Sequence, residues 1–405
     1  MSTLNAKVNS VPDENKEVVD SSNSNEIQNW DDLDISTELL RGVFAYGFEK
    51  PSHIQQKAIK PLIQKKDIVA QAQSGTGKTA TFTIGALANV DVTNNTTQVL
   101  VLSPTKELTI QTAKVFERLG EMMNGLKVQT AYGGAVIEDI SSFSPKNIPH
   151  VICGCPGRVF DMMRRDKISS KKIKLFILDE ADEMLSSGFK DQVYNIFQYL
   201  SNDIQVALFS ATLPDGINTI ISKIMRDPVY ISVKREMLTL EGIRQYYIAV
   251  DDDIQKYLTL KNLFSFLSMS QCIIYSNSVK RVQDLYEAML EDEFPVCRIH
   301  SNMERTEREN AFNEFKNGKS RVLVSSNVTA RGIDIQQVSV VINFDLTKDV
   351  HTYLHRIGRS GRWGRKGVGI NFITRRDVAK LKEIEQHYST EIMEMPADLS
   401  FLTTF

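Results

Sequence analysis

The stretch DIVAQAQSGTGKTATFTIG, residues 67–85, joins an apolar run to a helix-like run through a glycine-rich loop. This order predicts a strand, a phosphate-binding loop and a helix, because backbone N–H groups and the helix N-terminus then point at the phosphates. Lys78 would neutralise the β- and γ-phosphates, and the Thr79 hydroxyl would bind Mg²⁺. The alternative is a plain glycine-rich turn, which needs neither the lysine nor the hydroxyl. The predicted nucleotide-binding residues of the loop are Ser74, Gly75, Thr76, Gly77, Lys78 and Thr79.

A second segment, KLFILDEAD at residues 174–182, is an apolar run that ends in carboxylates. Acidic residues at the carboxyl end of a buried parallel strand face the ligand crevice of the sheet. We expect Asp179 to anchor Mg²⁺ and Glu180 to orient or deprotonate the attacking water. A solvated acidic loop is the alternative, but it would not need the apolar run before it. Together the two segments predict a nucleoside triphosphatase.

Length and composition set broad limits. A chain of 405 residues is too long for one typical hydrophobic core, so two domains are expected. The net charge of −2 gives no overall attraction to nucleic acid, although a local basic groove is compatible with it. No apolar run is long enough for a membrane span, and no signal-peptide core is present at the N-terminus. The four cysteines lack the spacing of a zinc site and indicate a reducing, intracellular compartment.

The pattern along the chain predicts an α/β fold with two tandem domains. Apolar strand-like runs alternate with helix-like runs twice, which is typical of mostly parallel sheets flanked by helices. The first residues are polar and aperiodic, and a charged segment separates the two sets of strands. The predicted divisions are a disordered tail at 1–28, a nucleotide-binding domain at 29–233, a linker at 234–242 and a second domain at 243–405.

The segment HRIGRSGR, residues 355–362, is basic and rich in small residues. An ordinary solvated charge run would not need glycines between its basic residues. We therefore expect the segment to direct guanidinium groups at a triphosphate. The basic residues so predicted are His355, Arg356, Arg359, Arg362 and Arg365.

With these segments in place, the sequence resembles the DEAD-box RNA helicases, whose name residues 179–182 spell. The resemblance covers residues 30–405 and implies two RecA-like domains that bind ATP and Mg²⁺. GFEKPSHIQQ, residues 47–56, is similar to the family's adenine-reading segment, with Gln55 as the glutamine that bonds the base. Trp30 matches the upstream aromatic that packs on the base. Taken alone, a surface glutamine and a core aromatic would be the simpler interpretation.

The resemblance also assigns roles elsewhere in the chain. Asp182, Ser210, Thr212 and His355 match residues that link hydrolysis to domain closure, and Asp334 matches a nucleotide contact. Arg359 and Arg362 are similar to the family's arginine fingers. The residues implied to contact RNA are Pro104, Thr105, Lys106, Gly134, Arg158 and Ser326.

These roles imply a mechanism. ATP on the first domain attracts the fingers of the second, and closure completes both the active site and an RNA groove. Contacts to phosphates and 2′-hydroxyls make the binding of single-stranded RNA independent of sequence. A bent strand cannot remain in a duplex, so the resemblance implies an RNA-stimulated ATPase that unwinds short duplexes.

Stretches such as LLRGVFAYGFEKPS and DEADEMLSSGFKDQ are similar to the translation initiation factor 4A subfamily. This similarity implies unwinding of mRNA 5′ ends in the cytoplasm and a scaffold protein of the initiation factor 4G type that bridges both domains. The alternative is an ATP-gated RNA clamp of the exon-junction or pre-rRNA processing type, which would place the protein in the nucleus. A DNA translocase or a transport ATPase fits poorly, because the arginine segment would have no role there.

Five positions depart from the family pattern: Lys106 replaces an arginine, Cys155 a threonine, Arg305 a glutamine, Ser326 a threonine and Asn327 an aspartate. Asn327 follows a predicted strand, so we expect it near the arginine-rich segment. A neutral amide there would hold guanidinium groups less strongly than a carboxylate. The hypothesis is that this protein closes less readily than its relatives; the alternative is that asparagine is simply tolerated.

Overall fold

The computed structural model describes residues 26–72, 75–133, 148–185, 188–213, 215–232, 243–265, 271–327, 338–360 and 367–399. Within these ranges the chain forms two parallel sheets of seven strands, each flanked by helices. The α/β fold with two tandem RecA-like units is therefore confirmed. None of the helices in this part of the chain is long and apolar enough to cross a membrane.

The first unit opens with a 3₁₀ turn at Trp30–Asp32. Its helices are α1 Thr37–Ala45, α2 His53–Ile63, α3 Lys78–Leu87, α4 Lys106–Leu119, α5 Pro156–Arg164, α6 Ala181–Met184, α7 Lys190–Gln198 and α8 Asp215–Ile224. Its strands are β1 Ile68–Gln71, β2 Val99–Leu102, β3 Val128–Ala131, β4 Val151–Gly154, β5 Leu175–Asp179, β6 Gln205–Ser210 and β7 Val229–Ser232. They lie in the order β3-β4-β2-β5-β6-β1-β7.

The central strands of this sheet are buried on both faces. β2, β4, β5 and β6 are buried along their whole length, which explains why they are continuous apolar runs without alternation. Two hydrophobic clusters, one on each face, separate the sheet from its helices. Because all pairs are parallel, the carboxyl ends of β5, β6 and β1 meet side by side at one edge.

The second unit repeats this plan. Its strands are β8 Ile243–Ala249, β9 Gln271–Tyr275, β10 Val296–Ile299, β11 Val322–Ser325, β12 Val338–Asn343, β13 Gly367–Ile373 and β14 Met393–Glu394. Its helices are α9 Asp253–Phe264, α10 Val279–Glu291, α11 Arg305–Lys316, α12 Val350–Ile357 and α13 Val378–Tyr388. The order β10-β11-β9-β12-β13-β8-β14 places β11, β9 and β12 next to one another.

The first unit begins earlier than the predicted boundary. Ile27 is buried in its core, and its N–H donates to the carbonyl of Gln56 at 3.1 Å. The last three residues of the predicted tail therefore belong to the folded unit. The reason is that Ile27, an apolar residue in a polar segment, packs into the core of this unit. Residues 1–25 and the predicted linker lie outside the described residues.

Candidate active site and RNA interface

The predicted nucleotide segments converge at the carboxyl ends of three adjacent strands. The phosphate loop follows β1, Asp179 ends β5 and Ser210 ends β6. The register pairs Gln71 with Ser210, and Asp179 with Phe209. α3 also packs against β5, which brings Thr79 and Lys78 toward the acidic strand end. The sheet therefore forms one site from three segments, of which the phosphate loop is more than a hundred residues before the other two.

The phosphate loop is fastened to the N-terminus of α2. The hydroxyl of Ser52 donates to the carbonyl of Thr76 at 2.8 Å, and the N–H of Ser52 donates to Oε1 of Gln55 at 2.7 Å. A Cβ atom on Gly77 would lie 2.8 Å from Nε2 of Gln55, and its φ of +99° also favours glycine. Gln55 is thus held beside the loop, where the resemblance places the adenine contact.

Lys78 is a buried cation at the start of α3. It is only 5% exposed, and its Nζ lies 3.9 Å from Oε1 of Glu180. Among the described residues its ammonium makes no hydrogen bond. Burying a charge without hydrogen bonds is costly, and the N-terminus of a helix favours anions. The site is therefore built for a negatively charged group such as a triphosphate.

Replacing Lys78 by Ala should weaken ATP binding by about tenfold to a hundredfold, because a charge-assisted bond to phosphate is lost. Titration of the full chain with a fluorescent ATP analogue measures the change. Lys114→Ala, an exposed change on α4, is the control and should bind normally. Unchanged affinity in Lys78→Ala would remove the phosphate role of this lysine.

The pKa of the carboxylate at the end of β5 is strongly shifted. Burial and the neighbouring charge of Glu180 raise the pKa of Asp179 to about 7, whereas Lys78 lowers it. A divalent cation would stabilise the ionised form, and the oxygens of Asp179 and Thr79 are the donors that Mg²⁺ prefers. Glu180 has a left-handed φ of 50°, which is uncommon outside glycine and frequent at functional sites. These residues fit a magnesium–nucleotide site.

A buried polar network joins the two units beside this site. Oδ2 of Asp182 accepts from the hydroxyl of Thr212 at 2.7 Å and lies 2.9 Å from Nε2 of His355. The hydroxyl of Ser210 accepts from the N–H of Asp182 at 3.2 Å and donates to the carbonyl of Thr212 at 2.6 Å. The structure thus brings together the four residues predicted to couple hydrolysis to closure. Ligand atoms of Glu180, Asp182 and His355 all lie within 4.8 Å of one another.

The arginine segment divides into residues with different surroundings. Arg359 is 3% exposed, and its Nε donates to the carbonyl of His355 at 3.2 Å. Arg356 points into its own unit and is fully buried there. The prediction that its guanidinium reaches a triphosphate is therefore wrong. Ser74, Asp334, Arg362 and Arg365 lie outside the described residues.

The predicted RNA-contacting residues of the first unit follow β2 and β4, which are neighbours in the sheet. Pro104 is buried, and Thr105 caps α4 by accepting from the N–H of Leu108 at 3.3 Å. Arg158, in the first turn of α5, is 3.6 Å from Asp161. In the second unit, Ser326 is buried, and within the described ranges its hydroxyl makes no hydrogen bond. Gly134 lies outside those ranges.

Lys106 has a partner that the sequence did not predict. Its ammonium forms an ion pair with Glu309 on α11 of the second unit and lies 5.0 Å from the centre of the Tyr132 ring. Sequence reasoning missed Glu309, because a glutamate in a strongly polar helix gives no signal. The contact makes Lys106 part of the interface between the units.

Trp30 lies in the hydrophobic core of the first unit. Its side chain is 1% exposed, and its ring centre is 5.9 Å from that of Phe48. This burial agrees with the simpler interpretation of a core aromatic. The ring supports the segment before α1 and offers no exposed face to a base in this structure.

The chain belongs to the DEAD-box family of RNA helicases. The DEAD/DEAH box helicase model matches residues 52–220, and the helicase conserved C-terminal domain model matches residues 255–364. The first match contains β1, β5 and β6, whose ends form the site described above, and the second contains His355 and Arg359. The fold and the site therefore define an ATP-dependent RNA helicase.

Within this family, the chain is similar to curated relatives that are named eIF4A. It is 47% identical to the ATP-dependent RNA helicase eIF4A of Lodderomyces elongisporus over 95% of this chain and 96% of the relative. It is also 47% identical to the eukaryotic initiation factor 4A of Caenorhabditis elegans over 93% of both chains.

The structure is also similar to solved structures of other proteins bound to RNA and nucleotide. S. cerevisiae Dbp5 bound to RNA and ADP BeF₃ superposes with a TM-score of 0.86 at 33% identity, over 93% of this chain and 100% of that chain. Mss116p bound to ssRNA and AMP-PNP has a TM-score of 0.81 over 93% of this chain and 81% of that chain. At 23% identity, this second likeness shows the fold alone.

Proposed function

We propose that this ATP-dependent RNA helicase unwinds short RNA duplexes during translation initiation, by closing its two units around ATP and single-stranded RNA. One observation carries the mechanism: His355 of the second unit contacts Asp182 of the first, 2.9 Å apart, inside the network that includes Thr212. Asp182 is two residues from Glu180, which is proposed to act on the water that attacks the γ-phosphate. A change at the γ-phosphate would therefore affect the contact between the units.

The proposed chemistry assigns one task to each group. Lys78 binds the phosphates, Glu180 accepts a proton from the attacking water, and Arg359 with Arg362 stabilises charge on the transferred phosphoryl group. Asp179 and Thr79 would hold Mg²⁺, which supplies charge neutralisation at the phosphates. Gln55 reads the adenine, because its amide can both donate and accept.

RNA binding is proposed along the strand ends that continue from the ATP site. Thr105, Arg158 and Ser326 would contact phosphates and riboses, so binding depends on the RNA backbone and on 2′-hydroxyls and not on sequence. A strand bent in this groove is separated from its complement. Hydrolysis then releases the contact between the units and, with it, the RNA.

The similarity to relatives named eIF4A supports a role in translation initiation over the clamp role in exon-junction or pre-rRNA complexes. On the same basis we propose a cytoplasmic location. We also propose a scaffold partner of the initiation factor 4G type, which would bridge both units and favour their closed arrangement.

The test of this function is ATP hydrolysis by the full chain with single-stranded RNA, with DNA of the same sequence and with no nucleic acid. We expect stimulation by RNA only. A short RNA duplex with a labelled strand should be unwound when ATP is added. Equal rates under all three conditions, or stimulation by DNA alone, would contradict the proposal.

The Lys106–Glu309 ion pair gives a separate prediction. Lys106→Glu and Glu309→Lys should each lower RNA-stimulated turnover about two- to fivefold, because partly exposed pairs contribute up to about 1 kcal/mol. The double variant reverses both charges and should recover most of the loss. The readout is a double-mutant cycle of turnover at saturating ATP. If the double variant stays as slow as Lys106→Glu, the lysine acts on RNA directly and not on closure.

A further inference from the structure

Arg356 is fully buried in the second unit, and every N–H of its guanidinium has an acceptor. Nε and Nη2 donate to Oδ1 of Asn327 at 2.9 and 2.6 Å. Nη1 donates to Oδ1 of Asn343 at 3.0 Å and to the carbonyl of Asp345 at 2.8 Å. Nη2 also donates to Oδ1 of Asn277 at 2.8 Å. A guanidinium has five N–H donors, so none is left for another ligand.

The three asparagines, which we call the amide cage, come from adjacent strands. Asn343 ends β12, and Asn277 and Asn327 each lie two residues beyond the ends of β9 and β11. Since these strands are neighbours and parallel, their carboxyl ends meet beneath α12, which carries Arg356. The aromatic ring of Tyr275 lies 5.1 Å from the guanidinium carbon and closes the cage from the side.

Two amides of the cage are themselves held in orientation. Nδ2 of Asn277 donates to the carbonyl of Leu346 at 2.7 Å, and Nδ2 of Asn343 donates to Oδ1 of Asn371 at 2.8 Å. These bonds turn the carbonyl oxygens toward Arg356, which fixes the assignment of each amide. Two of the three amides are therefore oriented to accept from a cation.

The acceptors of Arg356 are all neutral. The nearby carboxylate of Asp345 is bonded instead to Arg281 at 2.6 Å and to Lys256 at 3.2 Å. Burial lowers the pKa of Arg356 to about 10, so the group stays protonated at neutral pH. Hydrogen bonds between a cation and a carboxylate are roughly twice as strong as bonds to neutral groups. The cage therefore holds this cation with less energy than a carboxylate would supply.

The cage anchors the turn that faces the other unit. His355 precedes Arg356 and contacts Asp182 across the cleft. The N–H of Arg359 donates to the carbonyl of Arg356 at 3.1 Å, and its Nε donates to the carbonyl of His355 at 3.2 Å. Motion of Arg356 in the cage would displace both residues from the geometry that closure requires.

We propose that Asn277, Asn327 and Asn343 are positioning residues that act through Arg356, and that their neutrality limits how readily the cleft closes. This inference rests on the proposed function. A carboxylate at position 327 would order the turn that carries His355 and Arg359 before the cleft between the units closes. Less conformational freedom would then be lost on closing, and ATP and RNA would be bound more cooperatively.

The test compares Asn327→Asp with the natural chain. The measured quantity is the ratio of RNA affinities with and without a non-hydrolysable ATP analogue, which reports how cooperatively ATP and RNA are bound. We expect the ratio to rise about tenfold, since a charge-assisted bond replaces a neutral one. In an Arg356→Gln background, the same change should add little, because no cation is left for the carboxylate to bind.

The exposed Asn313, on α11, supplies the matched control: Asn313→Asp adds the same charge and should leave the ratio unchanged. An unchanged ratio in Asn327→Asp would overturn the proposal, as would an equal rise in the Arg356→Gln background. Failure of the natural chain to show RNA-stimulated ATPase activity would instead refute the proposed function.

Discussion

Glu180→Gln should reduce ATP turnover by at least about a hundredfold while ATP and RNA remain bound, because a general base typically contributes that much or more. The glutamine keeps the size of the side chain but cannot accept a proton. Glu180 is nearly buried and lies 3.9 Å from the ammonium of Lys78, at the end of a strand that also carries Asp179. The variant should therefore accumulate in the closed state with ATP and RNA.

Single-turnover hydrolysis measures the chemical step, and RNA retention in ATP measures the closed state. Glu183→Gln, three residues further along on α6, removes a carboxylate of the same kind and is the matched control. It should hydrolyse ATP within a few-fold of the natural rate. Loss of ATP binding in Glu180→Gln would show that the carboxylate has a binding role, and near-normal hydrolysis would show that it is not the base.

Arg359→Ala should lower RNA-stimulated turnover by about a thousandfold, since arginine fingers in other nucleotide hydrolases contribute on the order of 10³ or more. The residue belongs to the second unit, yet its Nε bonds to the carbonyl of His355, whose ring contacts Asp182 of the first. The proposed function places most ATP contacts in the first unit, so the affinity for ATP should change little.

The experiment measures kcat and the dissociation constant of ATP separately in the full chain. Arg375→Ala, an exposed arginine of the same unit, controls for the loss of positive charge. Arg362→Ala is expected to resemble Arg359→Ala by the family pattern. A variant that loses ATP affinity and turnover in equal measure would indicate a binding role and contradict the assignment as a finger.

The local parts of the site follow from sequence because neighbouring residues determine them. A glycine-rich loop between a buried strand and a helix has few other conformations, so Gly77, Lys78 and the start of α3 are predictable. The acidic residues after an apolar run are predictable for the same reason: parallel strands place their carboxyl ends at one edge. The two-unit fold was predictable because two sets of apolar strand-like runs follow one another along the chain.

Side-chain directions and contacts between distant segments were decided by tertiary packing. Trp30 matches a base-packing aromatic by position, but the core of the first unit encloses it. Arg356 lies in the same basic segment as Arg359, yet asparagines at three distant strand ends accept its hydrogen bonds inside the second unit. Lys106 lies in a segment that the resemblance assigns to RNA contacts, yet it forms an ion pair with Glu309 of the other unit. A sequence pattern specifies which strand end carries a side chain, and the acceptors that surround it are known only when the sheets are assembled.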